Sequence, residues 1–381
     1  MSITPITLRS GYTTGSCATA AAKAAATGLV KGIIPDDEEI GTPAGIRLKL
    51  KILHKQLFHN WSGCAVQKDA GDDPDVTNGC RVYARVERND TGLIEIDGGE
   101  GVGRVTRPGL QVPVGKAAIN PVPQRMIESA VREVIGAGAG VRVVISVPDG
   151  KALGEKTFNP RLGIVGGISI IGTTGIVRPM SEDAFRVSLL CGLDIARAMG
   201  YETVVLVPGS LGERSVRNLV AIPGDQIVQI SNFVGFMLEE ALRRQFKRII
   251  LAGHPGKLAK LLRGDFHTHS VVSGPANDIL LDIIRHMHLP DAVYNALEGS
   301  STVEGIVRVL HDVNVPVMDN VAGMIEDKVL EFCREKQPSV VIETGIILFD
   351  MKSSVTGISD GAKKWINSKE IRLSLSDADR G

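Results

Sequence analysis

From Gly163 onward, short β-branched and aliphatic runs alternate with amphipathic stretches, and this rhythm leaves few architectures open. Strands are expected at 167–171, 203–207 (TVVLV), 227–230, 248–252 (RIILA) and 340–348 (VVIETGIIL). Helices are expected at 182–199, 212–220, 233–245, 256–263, 275–288, 290–298, 302–312 and 319–336. Such alternation implies right-handed crossovers and a mostly parallel sheet with helices on both faces. The expected arrangement is a Rossmann-like α/β domain over 163–350, followed by a polar C-terminal surface tail over 351–381.

The first half follows another pattern, and its expected fold is a two-layer α+β domain over 1–162. Thr14 or Ser16 can cap an Ala-rich helix over CATAAAKAAATGLV, with Gly28 or Gly32 as its stop. Residues 46–53 alternate apolar with basic side chains, as a half-buried strand does. Val82, Ala84 and Val86 repeat that alternation, and 93–96 follow the Asn89-Asp90 turn, so a hairpin is expected. A Pro-opened helix over 122–135 then leads to a strand at 141–147. A length of 381 residues fits roughly two to three domains.

Charge and composition narrow the function classes. Lysine plus arginine and aspartate plus glutamate both number 43, and aromatics make up 4%. A balanced chain with few stacking side chains gives no basis for nucleic-acid binding. The five cysteines are scattered and never paired as C-x-x-C, which fits a reducing compartment. The opening MSITPITLRSGYTTG has no apolar signal core. No run approaches the roughly 18 apolar residues of a membrane span. A soluble cytoplasmic protein without a membrane partner is expected.

The segment Asn159–Ser181, NPRLGIVGGISIIGTTGIVRPMS, reads as a buried strand delivering a hydroxyl-bearing loop, Gly172-Thr173-Thr174-Gly175. The same triplet occurs at Thr13-Thr14-Gly15, beside Ser16 and just ahead of a helix, suggesting one site built from distant parts of the chain. The loop Lys68–Gly79 carries Asp69, Asp72, Asp73 and Asp75, carboxylates that repel unless solvated or bound to a cation or a basic partner. Both a solvated turn and a ligand-facing loop fit that string. Asp73-Pro-Asp75-Val-Thr77 has the D-x-D-x-T form of haloacid-dehalogenase phosphotransferases, but its lead-in is polar.

Gly253-His254-Pro255-Gly256-Lys257 follows a strand and opens a helix, so its N–H groups and Lys257 would favour an anion. Gly209–Arg214 forms a third loop on the same expected edge. None of these loops matches G-x-G-x-x-G or a P-loop. Asp265-Phe-His267-Thr-His269 has the D-x-H-x-H form of metal-dependent phosphoesterases, with His254, His286, His288 and His311 as imaginable further ligands. Capping or solvated histidines fit the same string, and no metal is assigned. Cys17 stands where a helix dipole would activate a thiol, although its Ala-rich setting favours a buried apolar role.

Several long strings resemble one family, the cobalt-precorrin-5B C1-methyltransferases of anaerobic cobalamin biosynthesis (CbiD type). They include LRSGYTTGSCATAAAKAA, VQKDAGDDPDVTNG, GEGVGRVTRPGL, GKAAINPVP, VRVVISVPDG, the Asn159–Ser181 segment, SNFVGF and GHPGKLAKLLRG. The resemblance runs from Leu8 to about Ser270, and more loosely beyond. It implies transfer of a methyl group from S-adenosylmethionine to C1 of a ring-contracted cobalt tetrapyrrole. A polycarboxylate substrate would call on Arg9, Lys68, Arg161, Arg178 and Lys257. The sulfonium and ribose of the donor would call on Asp69, Asp72, Asp73 or Glu343. Thr13, Thr14, Gly15, Ser16, Gly172, Thr173, Thr174, Gly175, Gly253 and Gly256 would line the binding surfaces. Asp72 and His254 are the candidates for a base. Two alternatives stand beside this: a phosphoesterase using Asp265, His267 and His269, and a non-catalytic tetrapyrrole carrier.

Overall fold

The computed structural model describes residues 8–287, 289–297, 300, 302–312 and 317–368. They form a mixed α/β protein of two compact units, divided after Ala184. No described helix is long and apolar enough to cross a membrane.

The first unit begins with β1 (Gly11–Tyr12), α1 (Thr14–Lys31), β2 (Asp37–Gly41), β3 (Arg47–Lys51), β4 (Leu53–Leu57), β5 (Trp61–Gln67) and β6 (Arg81–Asn89). It continues through β7 (Ile94–Gly98), β8 (Arg104–Val105), α2 (Pro121–Ile135), β9 (Gly140–Ser146), α3 (Gly150–Gly154), β10 (Ile164–Val165) and β11 (Ile176–Val177). The main sheet has the order β4-β5-β6-β9-β7. Val82, Ala84 and Val86 of β6 and Val141, Val143 and Ile145 of β9 turn one face onto α1 and α2 in a single core. Alanines at 18, 20, 21, 22, 24, 25 and 26 are fully buried. Small side chains let α1 lie close to the sheet, where Cys64 Sγ donates to the carbonyl of Ala21 at 3.2 Å.

Two local expectations change, and a third, the stop of α1, resolves to one of its two alternatives. The N-cap of α1 is Thr13, whose Oγ1 accepts from the Ser16 N–H at 3.2 Å, rather than Thr14 or Ser16. Gly32 is the C-cap, and Gly28 stays inside the helix, with no room for a Cβ beside Ile34. The hairpin of β6 with β7 does not form. Instead β9 inserts between them, antiparallel to β6 and parallel to β7. Gly140 permits this, because a Cβ there would lie 2.0 Å from Asn89 Oδ1 and 2.6 Å from the Gly92 nitrogen.

The expected domain boundary at 162/163 also moves. Residues 167–171 form no strand of a parallel sheet; Ile168 bridges Val102, Ile170 bridges Ile119, and both are buried in the first core. A Gly contact holds this return. Gly101 has φ 70°, and its carbonyl lies 2.1 Å from where either Gly150 or Gly167 would carry a Cβ. Only three residues without side chains allow that approach. β10 pairs with β8 and β11 with β1, so 163–184 belong to the first unit.

The second unit contains α4 (Glu182–Ala198, divided in its first turn), β12 (Thr203–Val207), α5 (Ser210–Leu219), β13 (Ile227–Gln229), α6 (Val234–Arg243), β14 (Arg248–Gly253) and α7 (Pro255–Leu258). It continues through α8 (Asn277–Arg285), α9 (Asp291–Leu297), α10 (Val303–Asp312), α11 (Val317–Lys336), β15 (Glu343–Phe349), β16 (Val355–Ile358) and α12 (Asp360–Asn367). The sheet order is β13-β12-β14-β15-β16, parallel except for β16. Successive strand residues face opposite sides, and the cores divide accordingly. Val204, Leu206, Ile249 and Leu251 pack with α4, α6 and α11, whereas Val205, Val207, Ile250 and Ala252 pack with α5 and α12.

The polar tail expected from 351 is therefore structured as far as Ser368. β16 extends the sheet, and Ala362, Trp365 and Ile366 bury one face of α12. The i, i+3, i+4 spacing of those three residues is a helical stripe among polar neighbours. The remainder of the expected tail, 369–381, lies outside the described residues, as does His288.

Candidate functional site

The two Thr-Thr-Gly loops meet within the first unit. Thr14 Oγ1 accepts from the Ile171 N–H at 2.9 Å, and the Gly15 N–H donates to the Ile171 carbonyl at 3.0 Å. The Thr13 N–H and Ser16 Oγ donate to the Gly175 carbonyl at 3.1 and 2.7 Å. Thr13, Thr14 and Ser16 are buried and occupied with these bonds, so they build the junction. Thr173 and Thr174 stand exposed above it. Gly172 fits because a Cβ there would lie 2.2 Å from Thr13 Oγ1.

The acidic loop closes over the same segment. It joins antiparallel β5 to β6, so the D-x-D-x-T resemblance lacks the strand end that chemistry uses. Lys68 is 3% exposed and forms an ion pair with Asp75, which also accepts from the Thr77 N–H and hydroxyl at 2.7 Å. Burial would raise the Asp75 carboxyl, but the Lys68 hydrogen bond and charge, with Thr77, outweigh it and hold it below the usual range. Arg9 forms a bidentate pair with Asp69, and this hydrogen bonding, helped by the Gly71 N–H that donates to Asp69 Oδ1 at 2.8 Å, holds the Asp69 carboxyl below its usual range. Asp72 accepts the Arg9 N–H through Oδ2, and Asp73 accepts the Met180 N–H at 2.9 Å. Three carboxylates thus fasten Arg9 and Met180, although Asp72 remains exposed with Oδ1 unpartnered among the described residues.

Arg161 lies exposed on the turn leading into β10. Cys17 is fully buried, and burial pushes its thiol far up, the reverse of an activated nucleophile. A cleft of about 530 Å³ between α1 and α2 was not foreseen; Thr19, Lys23, Arg125, Glu133 and Thr173 help line it. Lys23 pairs there with Glu133 at 3.0 Å.

A second set of candidates stands in the other unit, at the carboxyl edge of its sheet. β12 lies between β13 and β14, and α5 and α6, the helices following β12 and β13, cover opposite faces. Open α/β sheets bind ligands at such a reversal of strand order. Lys257 follows β14, Asn232 follows β13, and Lys257 Nζ donates to Asn232 Oδ1 at 2.9 Å. This bond links the ends of the two strands that flank β12.

The free N–H groups expected at 253–257 are already used. The Gly256 N–H donates to His254 Nδ1 at 3.0 Å, while the Lys257 and Leu258 N–H groups donate to the His254 carbonyl at 3.0 and 3.2 Å. With Nδ1 accepting, the ring proton is on Nε2, which donates to Glu304 Oε2 at 3.0 Å. His254 therefore caps α7 and orients Glu304, and neither ring nitrogen is open to act as a base. Glu343 pairs with Arg248 where β14 and β15 begin, at the edge opposite the ligand edge.

Asp265 accepts from Ser273 Oγ at 2.7 Å and Arg263 Nε at 3.0 Å, His267 stacks on Phe233, and His269 Nδ1 accepts the Val271 N–H. Among the described residues no three His, Cys, Asp or Glu side chains group as metal ligands. Sequence reasoning missed Asn232, Lys260 and Glu304. Asn232 carried a signal, an amide just past a short strand; Glu304 acts from a helix fifty residues after His254.

Comparison with known proteins follows this division of the chain. A family model described as CbiD matches residues 2–179, and one described as CbiD, C-terminal domain, matches 267–360. A protein of Alkaliphilus metalliredigens (strain QYMF) is 48% identical over 349 residues, covering 91% of each chain. One of Edwardsiella ictaluri (strain 93-146) is 44% identical over 347 residues, covering 91% of this chain and 92% of its own. Both are named cobalt-precorrin-5B C(1)-methyltransferase. A crystal structure of the cobalamin biosynthesis protein (cbiD) from Archaeoglobus fulgidus is 30% identical and covers 65% of this chain and 78% of its own, with a TM-score of 0.36. The chain belongs to the CbiD family.

Proposed function

We propose that this protein transfers a methyl group from S-adenosylmethionine to C1 of cobalt-precorrin-5B in cobalamin biosynthesis. The observation that carries this reading is 48% identity, over 91% of the chain, to a protein named for that methylation. The donor supplies an electrophilic methyl on a sulfonium and departs as the neutral thioether. The ring carbon is nucleophilic through its conjugated macrocycle, so the chain's task is to hold carbon and methyl in line.

Two surfaces serve that task. In the first unit, Asp72 with its open Oδ1, the outer edge of Asp69, and Thr173 and Thr174 suit a ligand with hydroxyls and a positive charge. Asp73, Lys68, Thr13, Thr14, Gly15, Ser16, Gly172 and Gly175 keep that surface in shape. In the second unit, the strand order supports a Rossmann-like reading, with Gly253, Gly256 and Lys257 at the crevice. Arg161 adds exposed positive charge to the first unit for the substrate's carboxylates. Thiols that are unpaired among the described residues, four of them buried and Cys191 partly so, suit a cytoplasmic location.

Asp265 is held by Ser273 and Arg263, and among the described residues Asp265, His267 and His269 form no group of metal ligands, which disfavours the phosphoesterase alternative. Incubation with methyl-labelled S-adenosylmethionine and cobalt-precorrin-5B is expected to give a labelled ring one methyl heavier. Tight tetrapyrrole binding without transfer would establish a carrier instead.

A further inference from the structure

Two lysines at the crevice of the second unit are withdrawn from water without an anion. Lys260 is 6% exposed, and its Nζ donates to the carbonyls of Thr268 and Ser273, both at 3.1 Å. Lys257 is half-buried, and its hydrogen-bond partner is the neutral Asn232 amide. Among the described residues, neither ammonium has a carboxylate within ion-pair distance. The groups are linked, since the Thr268 N–H donates to the Asn232 carbonyl at 2.9 Å. Thr268 itself is 2% exposed, and its Oγ1 has no partner.

Burying positive charge among neutral partners is unfavourable, and a charged group is ordinarily retained in such a place with a counter-charge. Burial, reinforced by the charge on Lys260, lowers the Lys257 ammonium from its ordinary value. A bound anion would reverse that. The chain has carboxylates to spare elsewhere: Lys68, buried even more deeply than Lys260, has Asp75. Lys257 is instead held by an amide, across the strand end where ligands of such sheets bind.

We propose that Lys257, backed by Lys260 and aimed by Asn232, receives a carboxylate of the ligand held at this crevice. The inference rests on the methyltransferase reading for the identity of that ligand. The same chemistry is offered by the acetate and propionate arms of the tetrapyrrole and by the amino-acid carboxylate of the methyl donor.

Two variants test it. Lys257→Gln removes the charge. Asn232→Asp keeps Lys257 but supplies an internal carboxylate, and its thermal midpoint, expected at or above that of the wild type, shows that the fold is kept. Binding of S-adenosylhomocysteine is measured by calorimetry, and binding of a porphyrin octacarboxylate by its Soret band. For one of the two ligands, both variants are expected to weaken binding roughly 10- to 100-fold, the worth of a charge-assisted hydrogen bond. The ligand affected identifies the source of the carboxylate. Unchanged affinity for both ligands in both variants overturns the proposal while leaving methyl transfer by the wild type intact. A wild type that binds neither ligand and transfers no methyl overturns the underlying reading as well.

Discussion

Lys68 and Asp75 show how one residue can look functional and prove to be structural. The lysine ammonium is 2% exposed in its side chain and the carboxylate 27%, so the pair is asymmetric in its access to water. Asp75→Asn strands a buried cation and is expected to cost about 3 kcal/mol in chemical denaturation. Lys68→Met leaves a carboxylate that water and Thr77 still reach, and is expected to cost less. The sign with pH follows from the lowered Asp75 carboxyl. Its contribution is present above the ordinary carboxylate value, near pH 4, and is lost as pH falls through the lowered one. Acid unfolding of the wild type should therefore include a loss below about pH 4 that Asp75→Asn lacks. An equal cost for the two variants would refute this account of the loop.

At the scale of elements, α1 depends on a loop more than a hundred and fifty residues away. Its cap, Thr13, presses on Gly172, whose φ of 138° is foreign to side-chain-bearing residues. Gly172→Ala adds backbone strain to a displaced cap, and a loss of about 2 kcal/mol or more is expected from thermal melts. Gly32→Ala is the control. It also has positive φ, 74°, but nothing lies within 4 Å of the added methyl, so about 1 kcal/mol is expected. Element type was legible from periodicity: β12 was foreseen to the residue and α2 to within one at its start. Pairing was not. The Asn89-Asp90 turn read as a hairpin because a sequence displays turn residues but not the strand that passes between, for which the bare backbone of Gly140 was the signal.

At the scale of the molecule, the boundary was the least legible feature. Residues 167–171 have the composition of a buried parallel strand, and nothing local reveals that Ile168 and Ile170 complete an earlier core. The candidate sites divide likewise. Loops rich in Gly, Thr and Asp were visible, whereas Asn232 and Glu304 matter through partners distant in sequence. A fragment ending at Ala184 is expected to melt cooperatively. One ending at Leu162 loses β10, β11 and two fully buried isoleucines, each worth about 2–5 kcal/mol, and is expected to show no cooperative transition. Cooperative melting of the shorter fragment would show that the first unit closes without its return segment.

The bond between Thr14 and Ile171 spans 157 positions, and this has a consequence during translation. At about 5–20 residues per second, a ribosome needs roughly 8–30 s to travel from one end of that contact to the other. Through that interval the alanine helix is made but cannot be sealed at its start. Nascent chains of the first unit should be prime clients of ribosome-associated chaperones until the second Thr-Thr-Gly leaves the exit tunnel.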